Sequence, residues 1–390
     1  KHKKKIMMIK KKKYNRIDNL LLFFEVVIGN ESCDLDSAVS AVVFANFLSW
    51  QYNQIRCKVC TKAHRSEVEM PKKEDIFVPV LNVDRCDYEL KTEVVYYFRS
   101  KGINDSDLVF RDDFDLEALL NNTKSKVVLV DHHVLAKRDK FLAPFVTEII
   151  DHRPIDKSDW IYKDDVRSTI ETVGSCCTLV AQRIKDLSAL LAKDVDYFKA
   201  YPLCTEMLRG QYSTIILDTV NFSTDLNKAT PHDKDIILFL ESLMKLRNLK
   251  ADRQREHDSL IAARKNVGNL TPAQLLKKDV KIVGDVYIPS FPILVKEFLN
   301  RPGALEAVSE TLQNNNCSVA LLLGMDLTEG LQRDTALYSP GTPEKAVLVR
   351  KNQSSAGRTR APRVPYYWQL NLSASRKQYI PTVNTFTSNK

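Results

Sequence analysis

Long apolar runs are missing from this chain: none approaches the ~18 uninterrupted apolar residues that span a bilayer. The longest early run, Leu20 to Phe24, is too short even for the core of a signal peptide. Glycine is scarce, with 11 in 390 residues, and 44% of the chain is hydrophobic against 27% charged, which excludes glycine-repeat fibres and low-complexity disorder. Cysteine is limited to eight residues with no secretion signal, the usage of a reducing compartment, so a cytoplasmic protein is expected. Cys57 and Cys60 make one CxxC, but the second pair that a structural zinc site needs is absent nearby. Cys176–Cys177, after a glycine at a helix start, reads as packing.

Acid is also absent where base is dense. Residues 1–13 hold eight lysines and no acid, and residues 341–390 hold nine basic residues against Glu344 alone. Removing these two +8 ends from the net +9 leaves about −7 for residues 14–340, so the folded body is acidic. That disfavours a globular nucleic-acid face and reads the basic ends as solvated tails.

Against this background, four short apolar runs end abruptly in polar residues. They are Val26 to Ile28 before Gly29-Asn30, Val127 to Val130 before Asp131, Ile149-Ile150 before Asp151, and Ile215 to Leu217 before Asp218. Unalternated apolar runs suit strands buried on both faces, the habit of parallel sheets flanked by helices, and ligands gather beyond the carboxyl ends of such strands. Helical segments lie between the runs: Asp36 and Ser37 can cap one, and Ser175 precedes another. The charged stretch from Gln51 to Lys73 shows no clear period and reads as a surface loop. After Asp218 the texture turns to amphipathic helices, Ile236 to Leu246 and Ala251 to Val267, followed by strand candidates at 282–288 and 319–323.

The expected fold is therefore α/β: a doubly wound, mainly parallel sheet with a second, smaller α/β domain. The expected divisions are a basic flexible start at 1–20, a first domain at 21–222, a second at 225–352 and a flexible basic tail at 353–390.

The densest chemistry lies in Gly29-Asn30-Glu31-Ser32-Cys33-Asp34-Leu35-Asp36-Ser37. Two aspartates two apart in a loop leaving a buried strand can each give an oxygen to a divalent ion, and oxygen donors suit Mg²⁺ or Mn²⁺. Alone, the stretch reads equally well as a helix cap. Asp131-His132-His133 and Asp151-His152-Arg153-Pro154 repeat an Asp-His pair after similar apolar runs, and Asp218 adds a fourth acid.

In that order, with Gly174-Ser175-Cys176 and Ile216-Leu217-Asp218-Thr219, these motifs closely resemble the signature set of the DHH phosphoesterase superfamily. The Asp-His-Arg-Pro element resembles its Prune branch, as do Phe77 to Asn82, Phe110-Arg111-Asp112 and Lys228 to Pro231. The likeness spans residues 25 to 340, and the second domain resembles DHHA2.

The resemblance implies two ions, Mn²⁺ or Mg²⁺, bridged by Asp131: one with Asp34, the other with Asp36, His152 and Asp218. It implies catalytic roles for His132 and Asp151 beside those ligands. Asn30, where related pyrophosphatases carry histidine, His133, Arg153, Arg85, Lys281 and the Gly174-Ser175 turn are the substrate-side candidates. Gly174 and Ser175 read equally as a plain helix cap, and Lys281 as a solvated lysine. The implied activity is hydrolysis of short-chain polyphosphate, with cyclic nucleotide phosphodiesterase activity as an extension. The rivals are an inorganic pyrophosphatase and a weakly active regulator that binds nucleoside diphosphate kinase.

Overall fold

A computed structural model of the chain describes residues 23–63, 75–155, 160–191, 202–326 (except Lys245 and Arg247) and 332–340, with 356–357, 366–368, 379–381 and 383. The chain divides into two compact units, residues 1–88 with 93–263 and residues 89–92 with 264–390.

The first unit is built on five strands: β1 (Phe23–Ile28), β2 (Ile76–Val80), β3 (Lys124–Val130), β4 (Val146–Asp151) and β5 (Arg167–Ile170). They pair in the order β2-β1-β3-β4-β5, and every pairing is parallel. Val26, Val27, Val127 to Val130, Ile149 and Ile150 are all fully buried, as apolar runs covered on both faces require. Strand order reverses between β1 and β3, and such a switch point opens a crevice at the carboxyl ends of both strands. Asn30 to Asp36 leave β1 there, and Asp131 leaves β3.

The helices of this unit are α1 (Leu35–Ala63), α2 (Thr92–Ser100), α3 (Leu116–Asn122), α4 (Cys176–Leu191), α5 (Pro202–Asp218), α6 (Pro231–Met244) and α7 (Leu249–Lys265). Phe44, Phe47, Leu179, Val180, Ile184, Ile215 and Ile216 meet in one apolar cluster under the sheet.

Four expectations change. Ile215 to Leu217 belongs to helix α5, not to a strand, because a short apolar run fits a helix buried on several sides as well as a strand. Gln51 to Ala63 is not a loop but the continuation of α1. Helices α6 and α7 do not open the second domain, since Ile236, Ile237, Leu240 and Leu260 pack into the core of the first unit. The segment expected as a free tail contributes Tyr366–Trp368, which pairs with residues 334–336, and Val383, which is buried.

The second unit holds helices α8 (Pro272–Lys278), α9 (Val295–Leu299) and α10 (Ala304–Asn314) against a six-stranded mixed sheet. Its strands are β6 (Val280–Val283), β7 (Val286–Phe291), β8 (Val319–Asp326), β9 (Gln332–Tyr338), β10 (Ala356–Gly357) and β11 (Tyr366–Trp368), in the order β10-β11-β9-β8-β7-β6. The 282–288 strand candidate is in fact the β6–β7 hairpin, turning at Gly284, whose φ of 58° is easy only for glycine. The fully buried Asp334 accepts from Val295 N (2.7 Å) and Lys296 N (2.9 Å), holding the start of α9 to β9.

Candidate metal centre

Leaving β1, the chain turns at once. A Cβ on Gly29 would lie 2.8 Å from Ser37 Cβ and 3.0 Å from Ser37 O, so only glycine lets the strand exit touch the first turn of α1. The carbonyl of Gly29 accepts from Asn82 Nδ2 (3.1 Å), and Asn82 is gripped by Arg111 Nη1 (2.8 Å), which also pairs with the buried Asp139 (2.8 Å). The cap of α1 is Asp34, not Asp36 or Ser37: its Oδ1 accepts from Ser37 N at 3.1 Å. That frees Asp36, buried in the first turn, to face the sheet edge.

At the end of β3 the backbone of Asp131 is in the left-handed region, φ 63°, a strain of the kind concentrated at functional sites. Its Oδ2 accepts from Asn30 Nδ2 (2.7 Å) and Ser37 Oγ (2.6 Å), and its Oδ1 lies 3.2 Å from His152 Nε2. His152 Nε2 is 4.0 Å from Asp36 Oδ2. Its other nitrogen, Nδ1, donates to Val173 O (3.0 Å), which aims Nε2 at the carboxylates and leaves that nitrogen to ligate an ion that displaces its proton. Ligand atoms of Asp36, Asp131 and His152 all fall within 4.8 Å of one another.

The electrostatics of these groups call for a cation. Burial, then the charge of Asp36, pushes the Asp131 carboxyl up to about 7. Burial raises Asp36 as well, and it raises Asp218 well above the carboxylate range, where the charges of Asp36, Asp34 and Asp131 add to it. Burial works against a charged His152, but the hydrogen bond to Asp131 and the charge of Asp36 outweigh it and lift its pKa to about 10. Oδ2 of Asp218 is buried without a hydrogen-bond partner. Such a set is stable with all acids ionised only if a positive ion sits among them, and the oxygen-rich donors with one imidazole fit a divalent ion.

Other expected residues fall in different places. Asp34 and Asp218 stand outside the tight trio, though the Asp218 carboxyl feels both Asp34 and Asp36. Asp151 is fully buried and already engaged: Oδ2 pairs with His133 Nδ1, and Oδ1 accepts from His152 N (2.7 Å) and Arg153 N (3.3 Å). It therefore shapes the loop and does not join the cluster. His132 donates Nδ1–H to Val130 O (3.0 Å), and burial lowers its pKa, which leaves a neutral ring with Nε2 buried and unpartnered.

Arg153 is exposed, and among the described residues its guanidinium has no partner. Lys281 is exposed on β6 of the second unit.

Two substrate-side expectations are corrected. Arg85 binds Asp113 through Nε (2.8 Å) and Nη2 (2.5 Å), donates to the carbonyls of Asp105 and Leu108 at 3.1 Å each, and covers the Phe110 ring at 4.3 Å. It braces a loop and is not free for phosphate. At the Gly174-Ser175 turn the Gly174 N–H is already taken by Asp233 (2.8 Å), and the next amides, Cys176 N (2.6 Å) and Cys177 N (2.9 Å), donate to Asp36. The dipole of α4 thus serves Asp36. Burial pushes the Cys176 and Cys177 thiols well up, which removes them as nucleophiles.

Comparison with known proteins bears on the same segments. Residues 26–212 match the DHH family N-terminal domain and residues 258–386 match the DHHA2 domain. Exopolyphosphatase PRUNE1 of Mus musculus is 32% identical over 372 residues, 92% of this chain and 74% of the relative. The chain belongs to the Prune-type branch of the DHH family. The Homo sapiens PRUNE1 is likewise 32% identical, over 91% of this chain and 74% of its own length. The crystal structure of a candidate family II inorganic pyrophosphatase from Methanococcus jannaschii superposes with a TM-score of 0.50 at 18% identity, over 94% of this chain and 100% of that one, which supports the fold. Ser37, Asn82 and Arg111 lie in motifs noted in the sequence but were given no role at the site, and Asp233 lies outside every motif. Ser37 was visible as part of the first motif, whereas the others act through partners remote in sequence.

Proposed function

We propose that the chain hydrolyses terminal phosphoanhydride bonds of short polyphosphates at the cluster of Asp36, Asp131, His152 and Asp218, using Mn²⁺ or Mg²⁺. The observation that carries this is the convergence of buried, mutually repelling carboxyls with a metal-ready imidazole at the β1/β3 switch point of a Prune-type chain. These four residues would hold the ion. A divalent ion supplies acidification of a water and neutralisation of phosphoryl oxygens during in-line displacement.

The chain's own groups do the rest. Neutral His132 offers a lone pair to a hydrogen from water or substrate. Arg153, exposed one residue from His152, offers a planar fork to phosphate oxygens. Asp151 holds the His133 ring and the loop of His152 in place. Asn30 and Ser37 both donate to Asp131 Oδ2 and fix that carboxylate, and Asp34 would help to hold a second ion.

Phosphate release from tripolyphosphate, pyrophosphate and cAMP with Mn²⁺ or Mg²⁺ tests the reading. Turnover of tripolyphosphate above the other two is expected. Preference for pyrophosphate would favour the pyrophosphatase reading, and no turnover of any would remove the enzyme claim. The regulatory reading, binding of a nucleoside diphosphate kinase, rests on family resemblance and is tested by pull-down. No helix among the described residues is long and apolar enough to cross a membrane, which is compatible with a cytoplasmic site.

A further inference from the structure

Two of the four residues assigned above to the ion are hydrogen-bonded to one short segment, Val173 to Thr178, and a third neighbours a residue packed against it. Val173 O fixes the tautomer of His152. Cys176 N and Cys177 N hold both oxygens of Asp36. Gly174 is pressed against Thr219, the neighbour of Asp218: a Cβ there would meet Thr219 Cγ2 at 2.7 Å, Lys228 O at 2.9 Å and Asp233 Oδ2 at 3.1 Å.

The segment is tied down by a carboxylate that belongs to another helix. Asp233 is fully buried in the first turn of α6. Its Oδ2 accepts from Gly174 N (2.8 Å), and its Oδ1 accepts from Thr178 Oγ1 (2.6 Å). On its own side, Oδ2 accepts from Thr230 N and Thr230 Oγ1, both at 2.7 Å, while Asp233 N donates back to Thr230 Oγ1 (3.3 Å). The Thr230/Asp233 exchange is a capping box, the ordinary reason for an acid three residues into a helix. A capping box needs neither Gly174 nor Thr178. Those two bonds span 59 and 55 residues and reach the segment that orients the metal ligands.

We propose that Asp233 is a positioning residue of the metal centre, setting His152 and Asp36 through the Val173–Thr178 turn. This rests on the assignment of those residues to a divalent ion. Groups behind metal ligands of this kind commonly change metal affinity by about 10- to 100-fold when removed.

Calorimetric titration of Mn²⁺ into the full chain separates positioning from capping. Asp233→Ala is expected to weaken Mn²⁺ at least ~10-fold. Thr178→Val, which is isosteric and leaves the capping box intact, is expected to weaken it several-fold. Asp233→Asn can keep its oxygen toward Gly174 N while the Thr178 hydroxyl turns to accept, so near wild-type affinity is expected. Thr230→Ala breaks the cap but spares both turn bonds; a lower Tm with unchanged Mn²⁺ affinity is expected.

In tripolyphosphate hydrolysis by Thr178→Val, the Mn²⁺ needed for half-maximal rate should rise while kcat at saturating Mn²⁺ returns toward wild type. Should Asp233→Ala not fold, Thr178→Val alone decides. Wild-type Mn²⁺ affinity in Thr178→Val, or equal weakening in Thr230→Ala, overturns the proposal. Absence of Mn²⁺ binding by the unmutated chain would instead overturn the metal reading itself.

Discussion

Divalent ions should stabilise the first unit, and the gain should grow as pH rises. The perturbation is removal of metal by chelation at pH 5.5 and at pH 7.5. Without an ion, the folded Asp131 carboxyl titrates at about 7 against 3.8 in a model compound. A folded pKa raised in this way gives stability that is complete below 3.8 and is lost as pH climbs through 7. His152, raised from 6.5 to about 10, shifts the balance in the same direction: its contribution is complete below 6.5 and lost toward pH 10. For Asp131 alone, linkage gives a loss of about 2 kcal/mol between pH 5.5 and 7.5. In a unit of this size that is roughly 4–8 °C in Tm. Differential scanning of the chelated and Mn²⁺-loaded chain should therefore show a Tm difference several degrees larger at pH 7.5. A chelated Tm that stays flat or rises from pH 5.5 to 7.5, with the same Mn²⁺ increment at both, would refute the argument.

Other consequences concern single side chains. Gly29→Ala places a methyl 2.8 Å from Ser37 Cβ, an overpacking worth about 1–3 kcal/mol, and should lower Tm and activity together. Arg111→Ala removes the close partner of the buried Asp139, leaving it Arg138 at 4.0 Å and Asn82, and should cost about 1.5–3 kcal/mol in urea denaturation. Arg153→Ala, at an exposed guanidinium without a partner among the described residues, should raise KM for tripolyphosphate about tenfold, the effect of losing one charge-assisted phosphate contact, with Mn²⁺ affinity unchanged in calorimetry.

Much of the site was legible in the sequence because strand ends and chemistry coincide. Val26 to Ile28, Val127 to Val130 and Ile149-Ile150 are strands, and Asp36, Asp131 and His152, which follow them, come together at the carboxyl edge of an all-parallel sheet. Ile215 to Leu217 looked the same by composition but is helical, since three apolar residues carry no period that distinguishes the two states. Arg85 shows a different limit: nothing local announces that Asp113, 28 residues on, takes its charge. Asn82 reaches Gly29 across 53 residues and Asp233 reaches Gly174 across 59, so the groups behind the ligands emerge only once the chain is folded. Gly29 belongs to the first motif, yet the reason for a glycine there, the approach of Ser37, is tertiary.

The ligand role of the Asp36, Asp131 and His152 trio is tested most directly by titrating Mn²⁺ into the wild-type chain and into Asp131→Asn, with circular dichroism confirming that both are folded. Saturable Mn²⁺ binding by the wild type, lost or weakened at least ~100-fold in Asp131→Asn along with tripolyphosphate hydrolysis, is the expected result. Equal Mn²⁺ binding by the two folded chains would contradict the assignment of the centre.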